Sequence, residues 1–314
     1  MKAIHLIAPS GACLDGRKPA QAIEWLKQQG ISVQNTGCVE RVHQRFAGSD
    51  TERLAELNAL VSLPSDTVVM AARGGYGLHR LLPNIAWDSI AKSVENGLQI
   101  CGHSDLTVFH LGLLAKTGAI SLAGPMLNFD FGQLDEEGVV TPPNPFMWAH
   151  FQRAIDSRSL DVHVNTSQGA IGRPSEGVVS GMLWGGNLTV VAGLIGTPYM
   201  PNAQQIQGGI LFLEDVNEHP YRVERMLMQL LDSEILTSQA AIVLGGFSAY
   251  RLYENDRGYN LEVVIDYLRQ RLPESIPVLT DLPFGHQADK VTLPVGAKAR
   301  LVYNKTGFSL KALW

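Results

Sequence analysis

The sequence predicts an α/β protein with a parallel sheet, covered by helices, in its N-terminal half. Short apolar runs alternate with amphipathic segments through the first 124 residues, a pattern typical of strands joined by crossover helices. The second half mixes strand and helix signals without that regular alternation. A chain of 314 residues also exceeds what one hydrophobic core usually holds. We therefore expect two domains, the second of mixed α/β type.

Local signals set the elements of the first half. Pro19 lies early in one helix and Gly30 follows its end, as helix boundaries favour. Ser49 and Glu52 form a capping-box pair at the start of the next helix, and Gly118 ends a third. In chain order, we expect a strand at 3–9, helix 19–30, strand 31–33, helix 49–62, strands 67–72 and 98–101, helix 105–118 and strand 119–124.

The pattern weakens between about residues 125 and 170, which hold three closely spaced prolines and one helix candidate at 146–156. We accordingly expect an N-terminal domain over 1–150, a connector over 151–170 and a C-terminal domain over 171–314. The C-terminal elements are expected to be strands at 176–182, 208–215, 240–247, 276–280 and 299–304, helices near 220–233 and 260–272, and a β-meander over the last 25 residues.

Composition excludes several classes of protein. The net charge is −5, so no basic surface is expected for nucleic acid. The three cysteines are widely spaced and form no metal-binding or disulfide pattern, which fits a reducing cytoplasm. No apolar run is long enough to span a membrane. The N-terminal apolar stretch, 3–8, is too short for an export signal and contains His5.

A candidate nucleophile follows the strand at 98–101. Ser104 stands after Gly102 and before a helix, where ligands bind at the carboxyl edge of open α/β sheets. The amide of Asp105, at the helix N-terminus, can then face a developing oxyanion. The match to the G-x-S-x-G elbow is incomplete, because Leu106 replaces the second glycine. A plain helix N-cap is the alternative.

A glycine-rich loop, RGGYG at 73–77, follows another strand. Its backbone can approach a ligand closely and present N–H groups to an anion, although it matches neither a Walker A loop nor G-x-G-x-x-G. The alternative is a turn into the next segment. Arg73 and Arg80 are candidates to bind a substrate carboxylate. For Arg80, a position on a solvated helix face is the favoured interpretation.

Two titratable residues in the second half complete the candidate set. Glu214 ends an apolar strand, where a carboxylate needs a partner, and Asp215 and Glu218 compete with it for each role. His286, in a loop after Phe-Gly, is a plausible proton carrier.

A cysteine nucleophile and a metal site are the alternatives to a serine nucleophile. Cys101 is a rival nucleophile, but it lies inside an apolar run, where cysteine usually acts as a small hydrophobe. His103 and His110 flank the serine without a metal-ligand spacing. No metal and no cofactor is therefore expected.

Seven short segments, taken in order, resemble the LD-carboxypeptidase family of serine peptidases over essentially the whole chain. These segments are APSG at 8–11, RGGYG at 73–77, GHSDLT at 102–107, GPML at 124–127, GGNLTVVAGLIGTPY at 185–199, LFLEDVNE at 211–218 and LPFGH at 282–286.

The resemblance implies an N-terminal α/β domain like that of class I glutamine amidotransferases and a smaller C-terminal mixed α/β domain. It implies a cytoplasmic enzyme of peptidoglycan recycling that removes the terminal D-alanine from murein tetrapeptide, and often a homodimer. The implied site residues are a triad of Ser104, Glu214 and His286, an oxyanion hole from the amides of Gly75 and Asp105, and cleft residues Arg73, Gly74, Tyr76, Trp184 and Asn187.

Two other functions stay open at this stage. One branch of the family inactivates the peptide-nucleotide antibiotic microcin C7 by cutting its amide. A non-catalytic, two-lobed small-molecule binding protein is the alternative outside enzymes, and in it Ser104 would only cap a helix.

Overall fold

The computed structural model describes residues 1–135, 137–139, 141–166 and 175–314. The α-helices are α1 Arg17–Gln28, α2 Asp50–Asn58, α3 Trp87–Glu95, α4 Thr107–Thr117, α5 Pro145–Ser157, α6 Leu188–Leu194, α7 Ala203–Ile206, α8 Pro220–Asp232 and α9 Leu261–Arg271. The strands are β1 Ala3–Ile7, β2 Ser32–Gln34, β3 Val68–Ala71, β4 Gln99–Gly102, β5 Ser121–Ala123, β6 Ser159–Asn165, β7 Gly177–Asn187, β8 Ile210–Val216, β9 Ala241–Ser248, β10 Val278–Leu279, β11 Leu293–Val295, β12 Lys298–Asn304 and β13 Gly307–Leu313.

The first sheet has the strand order β11-β5-β4-β3-β1-β2. The strands β1 to β5 pair in parallel, and only β11 is antiparallel to its neighbour β5. The parallel sheet predicted for the N-terminal half is therefore present. Because parallel strands end at the same edge, the loops after β3, β4 and β5 meet at one carboxyl edge.

The predicted helix signals are found at their positions. The Ser49 side chain accepts from the Glu52 amide while the Glu52 carboxylate accepts from the Ser49 amide, which is a complete capping box for α2. Gly118 ends α4 in the left-handed conformation, with φ of 73°. Pro19 lies in the first turn of α1, and Gly30 follows the end of that helix with φ of 77°.

The second sheet is mixed, with the order β10-β9-β8-β7-β12-β13-β6. The strands β7 to β10 are parallel, whereas β12, β13 and β6 continue the sheet in antiparallel fashion. The fold is thus α/β with parallel strands in both sheets. The implied likeness to glutamine amidotransferases stays a prediction.

Three segments differ from expectation. Within the predicted connector, residues up to Ser157 belong to α5, and residues 159–165 form β6, which pairs with β13. Residues 167–174 lie outside the described residues. The last 25 residues form the β12–β13 hairpin but no full meander, because β11 pairs with β5 of the first sheet. The segment 78–84 is a 3₁₀-helix, since Pro83 cannot extend an α-helix.

One hydrophobic core joins the two sheets. Side chains from the first half, such as Val69 and Leu111, belong to the same buried cluster as Phe212 and Leu301 from the second. A separate cluster fills the other face of the first sheet, beneath α1 and α5. The shared core fixes the carboxyl edge of the first sheet relative to the ends of β8 and β9. No helix in the described part of the chain is long and apolar enough to cross a membrane.

Candidate active site

Ser104 lies at the sharp turn between β4 and α4. Its φ is 59°, a left-handed conformation that costs a non-glycine residue about 1–2 kcal/mol. It starts a single 3₁₀ turn that runs into α4. A serine held in this strained strand-to-helix turn exposes its hydroxyl at the sheet edge, as in a nucleophile elbow. Its hydroxyl makes no hydrogen bond to another described residue.

Gly74 packs directly against this serine. A Cβ atom on Gly74 would lie 2.6 Å from the Cβ and 2.7 Å from the Oγ of Ser104. The same position is 3.3 Å from the amide nitrogen of Asp105. Gly75 is exposed and has φ of 103°. Glycine at 74 is therefore required for close approach to Ser104 and the Asp105 amide, whereas glycine at 75 is favoured by the positive φ.

The carboxylate of Asp105 holds the glycine loop in place. Its Oδ2 accepts hydrogen bonds from Ser10 Oγ at 2.6 Å and from the Leu78 amide at 3.0 Å. The Gly11 amide also donates to the Gly74 carbonyl at 3.1 Å. Sequence reasoning assigned a role only to the amide of Asp105. The serine-aspartate pair was the available signal, but a carboxylate's partners cannot be inferred from the sequence.

Arg73 and Tyr76 in the loop, and Arg80 just after it, differ in their side-chain contacts and exposure. Arg73 Nη1 donates to the Ala12 carbonyl at 2.6 Å, so the guanidinium is anchored beside Gly75. Tyr76 is 47% exposed. Arg80 pairs with Asp50 at 2.8 Å on the surface, in agreement with its assignment to a solvated face.

Glu214 and His286 meet at the end of β8. His286 Nδ1 lies 2.9 Å from Glu214 Oε2, and the glutamate side chain is fully buried. The pairing of β8 with β9 shifts register beside Glu214, between Leu213 and Asp215. Gly285 has φ of 120°, and a Cβ there would lie 2.9 Å from Glu214 Oε2. Only glycine lets the Phe-Gly-His loop approach this closely.

Asn187 secures the second oxygen of Glu214. Its Nδ2 is 3.2 Å from Glu214 Oε1 and 3.0 Å from Asp215 Oδ1, and its Oδ1 caps α6 through the Val190 amide. Asn187 is 5% exposed. It therefore orients the glutamate from within the core, a role that its predicted place in the substrate cleft did not include.

The competing carboxylates have other partners. Asp215 accepts from the amide and hydroxyl of Thr189, both at 2.8 Å, and burial raises its pKa. Glu218 faces Arg222 at 3.7 Å. Of the three candidates, Glu214 alone bonds to His286.

His103 brings the serine segment and His286 together. Its ring centroid lies 5.0 Å from that of His286, and Ser104 is the next residue. The described structure contains no hydrogen bond between Ser104 and His286, and such bonds are often long without substrate.

Trp184 and Cys101 lie inside the core. Trp184 has no exposed surface, and its Nε1 donates to Gln239 at 2.8 Å. This differs from the cleft position expected for it, because β7 turns this side chain inward. Cys101 is also fully buried, and burial raises the pKa of its thiol well above the usual value. A reactive thiolate is therefore disfavoured there.

His110 is a structural histidine. Its two ring nitrogens bond to Ser121 Oγ at 2.8 Å and to the Gly102 carbonyl at 2.9 Å. Among the described residues, no group of three or more His, Cys, Asp or Glu side chains is arranged to hold a metal ion.

A strained serine in close contact with Gly74, in a segment that packs against a histidine–glutamate pair through His103, resembles the arrangement of a serine peptidase. Family comparison gives the particular class. The LD-carboxypeptidase N-terminal domain matches residues 4–124, and the LD-carboxypeptidase C-terminal domain matches residues 180–301. The chain belongs to the LD-carboxypeptidase family.

Individual relatives match along nearly their whole length. The crystal structure of muramoyltetrapeptide carboxypeptidase from Oxalobacter formigenes is 41% identical with a TM-score of 0.85, covering 100% of this chain and 99% of that one. A probable murein peptide carboxypeptidase of Bacillus subtilis is 29% identical, covering 95% of this chain and 88% of that protein. The microcin C7 self-immunity protein of Escherichia coli is 27% identical, covering 92% and 87%.

Proposed function

We propose that this protein is a serine LD-carboxypeptidase that releases the terminal D-alanine from free murein tetrapeptide. The proposal rests on the buried Glu214–His286 pair at 2.9 Å, with His286 packed beside the Ser104 segment through His103. The names of the Oxalobacter and Bacillus relatives support the choice of murein peptide as substrate.

In the proposed mechanism, Ser104 attacks the carbonyl of the diaminopimelate residue. His286 takes the hydroxyl proton through Nε2 and later delivers it to the amine of D-alanine. Glu214 holds the imidazole by Nδ1 and stabilises its positive charge. Water then hydrolyses the acyl-enzyme: His286 takes a proton from the attacking water and returns one to the oxygen of Ser104.

The amides of Gly75 and Asp105 are proposed to bind the oxyanion of the tetrahedral intermediate. Their setting supports this, because the Asp105 carboxylate and the Gly11 amide both fasten the glycine loop. Losing one such contact typically raises the barrier by about 3–4 kcal/mol.

Arg73 is the proposed partner for the free carboxylate of the terminal D-alanine. Its guanidinium is anchored to Ala12 and lies near Gly75, 3.8 Å from a Cβ built there. Arg80 is left out of the proposed role, because it pairs with Asp50 on the surface. Tyr76 and Gly74 complete the proposed cleft, whereas the buried Trp184 is left out of it.

The test is to incubate the purified protein with murein tetrapeptide and follow D-alanine by mass spectrometry, beside a Ser104→Ala control. Release by the wild type alone supports the proposal. A folded wild type that releases nothing, or a variant with normal turnover, would contradict it.

A microcin-type amide is the second candidate substrate, since the Escherichia coli self-immunity protein matches most of this chain. A competition assay with tetrapeptide and a peptide-nucleotide amide measures the ratio of kcat/KM for the two substrates. That ratio shows which substrate the enzyme prefers. The proposed cytoplasmic location and homodimer are tested separately, by cell fractionation and by light scattering.

A further inference from the structure

A lysine ammonium is buried behind the proposed catalytic histidine. Lys290 follows His286 by four residues and has no exposed surface. Its Nζ lies 2.5 Å from Asp130 Oδ1 and 3.3 Å from His103 Nε2. Asp130 and His103 are each 1% exposed, so all three side chains are enclosed.

The bonding pattern fixes the protonation of His103. Its Nδ1 lies 2.9 Å from the Gly124 carbonyl, which can only accept, so Nδ1 carries the proton. The Nε2 atom is then free to accept from the Lys290 ammonium. Burial first, and the Lys290 charge second, hold the pKa of His103 well below its usual range. His103 is therefore a neutral acceptor.

These three residues join segments that are distant in the sequence. His103 directly precedes Ser104, and Asp130 is held by the Met126 amide at 2.7 Å. Lys290 belongs instead to the loop that carries His286. Phe129 covers the group, with its ring centroid 5.6 Å from His286 and 4.8 Å from Lys290 Nζ. The ion pair thus ties the histidine loop to the segment after β5, and the Lys290–His103 bond ties it to the serine segment.

A buried ion pair seldom increases stability, because desolvation of both charges offsets their attraction. An effect on geometry is therefore the more informative role. A displacement of about 1 Å in a catalytic group can lower the rate roughly 100-fold.

We propose that Lys290, Asp130 and His103 form a positioning network that holds His286 against the Ser104 segment. The catalytic part of this inference rests on the proposed function. The placement of the His286 ring does not, since it can be observed without substrate.

The experiment compares Lys290→Met, Asp130→Asn and the double variant with wild type, and uses Lys298→Met on exposed β12 as the matched control. The imidazole ¹⁵N signals are recorded by NMR at one fixed pH, with His286 assigned from a His286→Gln variant. The His286 signals should move in Lys290→Met and in Asp130→Asn, because each change removes one member of the network, and should match those of wild type in Lys298→Met.

In kinetic assays, each single variant should lower kcat roughly 10- to 100-fold with KM changed less than threefold. The double variant should show a similar loss of kcat. A single variant leaves one unpaired buried charge, which can prevent folding. The double variant buries neither charge, so its loss of kcat still measures the effect on positioning.

The outcomes separate the two proposals. Displaced His286 signals in the single variants support the network, even if the wild type releases no D-alanine, a result that would count against the proposed function alone. Folded variants whose His286 signals and kcat match those of Lys298→Met would overturn the network while leaving the proposed function intact.

Discussion

Glu214 and His286 are 72 residues apart in the chain, yet Nδ1 of the imidazole lies 2.9 Å from Oε2 of the buried carboxylate. A carboxylate facing Nδ1 favours the tautomer with the proton on that nitrogen. The lone pair of Nε2 then faces away from Glu214 and is available for a hydroxyl proton. This orientation is the basis of the first prediction.

Glu214→Gln should lower kcat roughly 10³- to 10⁴-fold, because an amide can hold Nδ1 in the wrong tautomer and cannot stabilise an imidazolium. Steady-state hydrolysis of tetrapeptide measures the effect. KM should change little. A variant with more than a tenth of wild-type kcat would remove Glu214 from the proposed triad.

Ser104→Ala and Ser104→Gly should both abolish turnover, by roughly 10⁴-fold or more, since both lack the hydroxyl. The two should differ in stability. Because residue 104 has φ of 59°, glycine relieves strain that alanine retains, and should be more stable by about 1 kcal/mol. Urea unfolding compares them. Equal stability would argue against a strained turn.

Gly74→Ala should reduce kcat roughly 100-fold or more with a folded protein, because the new methyl group would lie within 2.7 Å of the Ser104 side chain and must displace it. Gly193→Ala is the matched control. It lies in α6 with nothing within 4 Å of its Cβ position. That variant should keep its activity and gain about 0.5–1 kcal/mol.

Asn187→Ala should lower the free energy of unfolding by about 2–4 kcal/mol, because it removes a helix cap and a donor to two buried carboxylates. It should also lower kcat roughly 10-fold as Glu214 loses its orientation. Asn202→Ala removes a similar cap from α7 without touching Glu214. In that control, a loss of about 1 kcal/mol with unchanged kcat is expected.

Burial of His110 should make folding sensitive to acid. Its pKa is lowered to about 4 by desolvation, against about 6.5 in the unfolded chain. Stabilisation by neutral His110 is thus complete above about pH 6.5 and is lost as the pH falls toward 4. The difference in unfolding free energy between wild type and His110→Gln should narrow by about 3 kcal/mol over this range. A constant difference in paired denaturant titrations would contradict the assignment.

Local patterns predicted most of the first half. The capping pair Ser49–Glu52, the terminal Gly118 and the alternating apolar runs each act over a few residues, so they are visible in the chain itself. Long-range pairing was not visible. Nothing local indicates that residues 293–295 pair with β5 of the first sheet and not with the hairpin that follows them. Nor does anything local indicate that Trp184 turns into the core.

Signals that act over a few residues are enough to predict the α/β class, the resemblance to the family, and the positions of Ser104, Glu214 and His286 at strand ends or in loops. These signals are short-range periodicity, turn residues and ordered motifs. The contacts between groups become visible in the folded chain: His286 with Glu214, Asn187 with Glu214, and Lys290 with Asp130 and His103. Such contacts depend on sheet register and on the packing of two halves around one core, and a linear pattern does not encode the distances between them.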